Sequence, residues 1–101
     1  MYLIVTTIRY MEITYDYSKN KRNLIERNLS FEEVIDFDFE GARLSIDERK
    51  DYGEIRIRAI GFLRCRLHTL VFTETENGIR VISFRKANKR ELTEYEKQIQ
   101  D

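Results

Sequence analysis

Apolar positions recur along this chain with two different periods, and the changes of period mark its elements. Residues 1–15 are dense in β-branched and aromatic side chains, which predicts extended structure. Asp16 stands where an N-cap is needed, so a helix is expected over about residues 17–28, with Leu24 and Ile25 as its apolar contribution. Ser30 followed by Glu33 has the spacing of a capping box, in which each side chain satisfies the other's backbone N–H. That box opens a second helix over about residues 31–38, with Phe31, Val34 and Ile35 at helical spacing and acids outside. Residues 42–50 are polar and read as a short edge strand plus loop. Three strands follow, over about residues 53–60, 64–74 and 79–85, the last two joined at Asn77-Gly78, a pair that tolerates positive φ in a two-residue hairpin turn. Asn88 followed by Glu91 starts a final helix, with Leu92, Tyr95 and Ile99 along one stripe. The expected fold is therefore α+β: two N-terminal helices, an antiparallel β-sheet of three to four strands and a C-terminal helix, in a single domain.

The turns fix a register. Asn77-Gly78 places Thr73 opposite Ile82, Val71 opposite Phe84 and Leu70 opposite Arg85. A three-residue loop, Gly61-Phe62-Leu63, would pair Arg58 with Arg66 and Arg56 with His68. One face then gathers Ile55, Ile57, Cys65, Leu67, Val71, Ile82 and Phe84, while a one-residue slip would mix charges into it. The other face gathers Glu54, Arg56, Arg58, Arg64, Arg66, His68, Ser83 and Arg85, beside Leu70 and Phe72.

Charge sharpens this picture. The chain has 18 basic and 18 acidic residues, so its formal net charge is zero, yet the signs are segregated. Glu32, Glu33, Asp36, Asp38 and Glu40 fall in a stretch without a base; Arg56, Arg58, Arg64 and Arg66 fall in one without an acid; Arg80, Arg85, Lys86, Lys89 and Arg90 fall in another. Arginines on strands suit a phosphate-binding face, because the guanidinium fork matches phosphate oxygens in pairs. The bland alternative is a solvated sheet face. A length of 101 residues gives one domain with a small core. No apolar run approaches a membrane span, and residues 1–8 lack the basic flank and length of a signal peptide. Cys65 is alone, so no internal disulfide can form, which fits a reducing cytoplasm; one Cys and one His make no Cys/His zinc site. Neither a metal nor a cofactor is expected.

Several stretches, taken in order, resemble the BrnT family of type II toxins, whose fold is related to the RelE-like ribonuclease toxins. They are Tyr15-Asp16 with Lys19 and Asn23; Leu29-Ser30-Phe31-Glu32-Glu33; Gly53-Glu54 with Arg56; Ile60-Gly61; Leu70-Val71-Phe72-Thr73; Arg80 through Ala87; and Glu91 with Tyr95. The resemblance covers roughly residues 11–98. The family's Lys-His-Gly stretch after the first helix is here Glu26-Arg27-Asn28, so an arginine that cannot exchange a proton near neutrality stands at the histidine position. Residues 1–10 are an extension of that core, read as the product of an upstream start in preference to an added strand.

The resemblance implies an endoribonuclease that cuts RNA without metal through the RNA's own 2′-OH and inhibits translation. Arginines aimed at the phosphate would supply the main stabilisation. Arg56 and Arg85 are the candidate phosphate clamps. Arg80 is a weaker candidate, since strand parity puts it on the other face. Glu54 is either a general base or, the favoured reading, an ion-pair holder for Arg56. His68 has the ordinary pKa for proton transfer near neutrality, although a plain surface histidine is the simpler reading. Lys19, Arg27, Arg58, Arg66 and Arg80 are candidate RNA contacts. Tyr95 belongs more naturally to the core stripe than to a base stack. The implied partners are RNA and a ribbon-helix-helix antitoxin of the BrnA-like kind, which would carry the pair to operator DNA in a 2:2 complex. The competing reading is a toxin-fold protein without catalysis, acting as an RNA-binding module or co-repressor.

Overall fold

The computed structural model describes the backbone of residues 2–6 and 11–100 and the side chains of residues 11–99. Among them are six strands, β1 (Tyr2–Thr6), β2 (Glu12–Asp16), β3 (Arg43–Ile46), β4 (Ile57–Leu63), β5 (Arg66–Glu74) and β6 (Gly78–Lys86), and two α-helices, α1 (Tyr17–Arg27) and α2 (Lys89–Gln100). The strands form one sheet in the order β1-β2-β6-β5-β4-β3. Strand β2 runs parallel to β6; every other pair is antiparallel.

This corrects the expected architecture. The sheet is mixed and six-stranded, not antiparallel with three to four strands, and the second N-terminal helix is a short 3₁₀ helix, Phe31–Asp36. Glu12–Asp16 alternates cleanly, burying Ile13 and Tyr15, but nothing local announces its partner, because a parallel pair is joined by a long crossover and not by a hairpin. Residues 2–6, inside the extension, pair antiparallel with β2. Residues 1 and 7–10 and residue 101 lie outside the described residues.

Local signals act where they were legible. Asp16 accepts the Lys19 N–H at 3.1 Å, and α1 ends at Asn28 in the left-handed region, φ 54°. The Ser30/Glu33 capping box is present in full. Helix α1 does not dock through Leu24 and Ile25, however, which are exposed. Its buried residue is Asn23, whose Nδ2 donates to Leu29 O (3.0 Å) and Phe84 O (2.9 Å) while Oδ1 accepts from Arg27 Nη1 (2.8 Å). A polar staple with all these bonds made holds the helix to β6.

Both expected registers shift. Chain reversal between β5 and β6 occurs at Glu76-Asn77, where the Thr75 N–H donates to Gly78 O (2.9 Å), so Thr73 pairs with Arg80, Val71 with Ser83 and Leu70 with Phe84. Gly78 serves a different purpose from the one expected. Its φ is not positive; a Cβ there would run into the Glu12 backbone, so glycine is what lets β2 approach β6. Between β4 and β5 the strand continues through Gly61-Phe62-Leu63 because Leu63 is needed in the core, and reversal falls on Arg64-Cys65, with Arg64 at φ 56°. Arg58 therefore pairs with Val71 and Gly61 with His68, in place of Arg58 with Arg66 and Arg56 with His68.

A β-bulge disrupts the β5–β6 ladder between Val71/Phe72 and Val81/Ser83, leaving Ile82 as the extra residue. The bulge shifts the alternation by one. Ile79, Val81 and Phe84 consequently all face the main core, and Arg80 and Arg85 both face away from it. That core lies between one face of the sheet and the 3₁₀ helix with the segment after it. Tyr15 packs edge-on against Phe31 (ring centroids 5.7 Å apart) and Phe37 against Phe84 (6.0 Å). On the opposite face α2 seals a small second cluster of Ile60, Leu67 and Tyr95.

Candidate nucleic-acid interface

On the sheet face away from the main core the strands leave an open cleft of about 510 Å³, between α2 and the loop that joins β3 to β4. Arg56 precedes β4, Arg58 lies on it, Arg85 comes from β6 and Arg90 from the start of α2, and all four line the cleft. Glu91 and Glu94 of α2 form the facing wall.

Arg85, Arg58 and Arg56 are each held in a different way. Arg85 forks onto Glu91 through two bonds, Nη1–Oε1 at 2.8 Å and Nη2–Oε2 at 2.9 Å. Glu91 also caps α2, its Oε1 accepting the Asn88 N–H and its own N–H donating to Asn88 Oδ1, both at 2.9 Å. Burial alone would raise the Glu91 carboxyl, but the Arg85 fork and the Asn88 N–H outweigh it and hold it at about 2. Glu91 is therefore a fixed anion at neutral pH and a poor proton carrier. Arg58 reaches Glu94 at 2.9 Å and Glu91 at 3.5 Å. Arg56 lies over the Tyr52 ring, its Cζ 4.0 Å from the centroid, and donates to Glu54 at 3.0 Å. Glu54 in turn accepts two bonds of 2.9 Å from Arg80, so one carboxylate bridges two arginines, and both hold it below the usual carboxylate range, Arg56 more strongly. Behind them Asp47 anchors the loop. Its carboxylate accepts from Arg49 (2.7 Å and 2.8 Å) and Tyr52 Oη (3.3 Å) and is held at about 2, chiefly by Arg49.

The structure thus brings Arg56, Arg58 and Arg85 into one cleft, with Glu54 and Arg80 beside it. Arg80 joins this face, against the parity expected for it, because the bulge at Ile82 falls between it and Arg85. Lys19 and Arg27 line a shallower groove along α1, floored by Ile82 and Ser83, which also line the main cleft. The two hollows therefore adjoin at the bulge.

Two candidates stand apart. His68 lies on the core face, 4% exposed, its ring 5.4 Å from that of Phe84 and its Nδ1 2.9 Å from Arg66 O. Burial lowers its pKa. The five-residue change of register moved it there, since an odd shift exchanges the two faces. It does not line the arginine cleft. Arg66 sits at the exposed β4–β5 turn, beside a different hollow lined by Cys65 and Leu92. Tyr95 packs edge-on against Phe62 and donates to Gly41 O at 3.2 Å, a core role.

Sequence reasoning missed Tyr52, Glu91, Glu94 and Asn23 as site-forming residues. Asn88-x-x-Glu91 was legible as a helix start, but spacing along one helix says nothing about which strand arginines that carboxylate will meet. Among the described residues no group of three His, Cys, Asp or Glu side chains is arranged around a metal ion, and no helix is long and apolar enough to cross a membrane.

A mixed sheet carrying an arginine-lined cleft, with a basic helix beside it, defines a small α+β protein with its cationic side chains gathered on one face. The model of a family described as "Ribonuclease toxin, BrnT, of type II toxin-antitoxin system" matches residues 15–91, more than half of the chain. The chain belongs to this family of ribonuclease toxins, and such a toxin has an antitoxin partner. Among curated proteins none matches the chain.

Proposed function

We propose that this chain is an endoribonuclease that cuts RNA without a metal ion, inhibits translation in the cytoplasm, and is neutralised by a ribbon-helix-helix antitoxin in a 2:2 complex bound to operator DNA. One observation carries the catalytic part: Arg56, just before β4, and Arg58, at its start, meet Arg85 of β6 in one cleft. Cleavage by the RNA's own 2′-OH builds charge on the phosphorane oxygens, and preorganised guanidinium donors stabilise that charge as it forms. Arg56, stacked on Tyr52 and tied to Glu54, and Arg85, forked onto Glu91, are held before substrate arrives. The α1 groove with Lys19 and Arg27 extends the basic track for the flanking nucleotides. Glu54 acts as the holder of Arg56 and Arg80.

A non-catalytic RNA-binding or co-repressor role is the second reading. It draws on the burial of His68, the chain's only histidine, and on Arg27 at the family's histidine position. Mapping of RNA ends after pulsed expression in a bacterial host separates the two. New ends carrying 2′,3′-cyclic phosphate, lost with Arg56→Ala and Arg85→Ala, are expected. Soluble, folded native protein that produces no new ends would exclude the nuclease and leave the binding module.

A further inference from the structure

Arg58 and Arg85 share a cleft but not a manner of restraint. Arg85 grips Glu91, whose side chain is 7% exposed and which also starts α2. Pulling that carboxylate away would unpair a buried charge and uncap the helix. Arg58 is held chiefly by Glu94, through Nη2 at 2.9 Å and 3.2 Å from the two carboxylate oxygens. The Glu94 side chain is 40% exposed, and Arg58 is its partner among the described residues. Helix α2 is itself lightly seated: Tyr95 is buried, while Leu92 and Ile99 are 43% and 49% exposed. The family match ends at residue 91 and does not reach Glu94.

Two carboxylate oxygens on one guanidinium nitrogen offer what two phosphate oxygens would offer, and a half-exposed ion pair is weakly held. We propose that Arg58 is an exchangeable phosphate seat, that Glu94 occupies it in the free chain, and that an RNA phosphodiester takes the seat by displacing the Glu94 carboxylate. Arg85–Glu91 is the fixed wall of the cleft and Arg58 its moving part. Glu94 then acts as a brake, because its negative charge must leave as the phosphate enters. This rests on the RNA-binding reading above.

The test is fluorescence anisotropy of a labelled, mixed-sequence, single-stranded 2′-O-methyl RNA, which cannot be cut because its attacking hydroxyls are capped. The full chain and its variants are titrated at low salt. Glu94→Gln should bind about twofold to fivefold more tightly than the native chain. Glu96→Gln, an equal loss of charge at another exposed position of α2, should not. Arg58→Met should weaken binding, and in its presence Glu94→Gln should give no gain. Equal gains from Glu94→Gln and Glu96→Gln would overturn the exchange, as would a Glu94→Gln gain that survives Arg58→Met, or no gain at all in a chain that binds RNA. Absence of RNA binding by the native chain and by every variant would instead bring down the RNA reading itself.

Discussion

The two faces of the sheet are held together by different physics. On one, Tyr15, Phe31, Phe37 and Phe84 interlock at edge-to-face angles around residues with almost no exposed surface. On the other, a small cluster of Ile60, Leu67 and Tyr95 of α2 is supplemented by Arg85–Glu91, Arg58–Glu94 and Arg56–Glu54–Arg80. Dispersion and apolar burial on the first face have no competitor in solution. On the second, the partly solvated Arg58–Glu94 pair can be exchanged for another ion of the same sign, while Arg85–Glu91 stays fixed. The first face is suited to keeping the fold, the second to trading partners without losing it.

The largest effect that separates the faces is expected from Phe84→Ala. It should cost about 3–5 kcal/mol of stability in urea titrations, because the void left under the 3₁₀ helix cannot collapse. Glu91→Ala should cost less, about 2–3 kcal/mol, by removing charge-assisted bonds to Arg85 and one half of the α2 cap. If Glu91→Ala proves as damaging as Phe84→Ala, the division of labour is wrong. Asn23→Ala should follow at about 1–3 kcal/mol, leaving Phe84 O and Leu29 O without their buried donor, and should loosen α1 selectively in amide exchange.

Acid titration draws the same contrast without mutation. His68 has a folded pKa below its ordinary 6.5, through burial first. Its unfolded form therefore binds more protons, so its contribution is present above pH 6.5 and declines as pH falls below that. Glu91 is held at about 2 against an ordinary 4.5, so its contribution is present above pH 4.5 and is lost between 4.5 and about 2. Melting temperature should thus fall in two stages, the core face first. His68→Phe should abolish the first stage and leave the second. A single stage in the native chain, beginning below pH 4.5, would show that His68 is not sealed. The smallest expected stability change is that of Arg58→Met, within about 1 kcal/mol, since its pairs are partly solvated.

Much of this was legible in the chain, but unevenly. Caps were, because Asp16, Ser30 with Glu33, and Asn88 with Glu91 satisfy backbone groups a few residues away. The placing of Arg56 and Arg85 on one face was anticipated, although through pairings that do not occur. Long-range geometry was hidden. Gly78 looked like a turn residue because a glycine demanded by a neighbouring backbone and one demanded by φ are written with the same letter. The bulge left a trace that only makes sense afterwards: strict alternation over residues 79–85 puts Val81 and Phe84 on opposite faces, although both are apolar enough for the core. His68 followed from the wrong turn. Nothing near Arg64-Cys65 marks it as a reversal until Arg64 is seen to reach Glu33 and Asp36 on the 3₁₀ helix, at 3.0 Å and 3.2 Å.

The parallel contact between β2 and β6 also sets an order of events during synthesis. A nascent chain leaving the ribosome has no ladder for Glu12–Asp16 to join on its β6 side until Gly78–Lys86 has emerged, so the centre of the sheet closes late. Arg85 arrives with that strand and Glu91 just after it. A toxin made in this way assembles its cleft only once residue 91 has emerged, and a polypeptide abandoned before residue 78 contains neither the β2–β6 pairing nor the arginine fork.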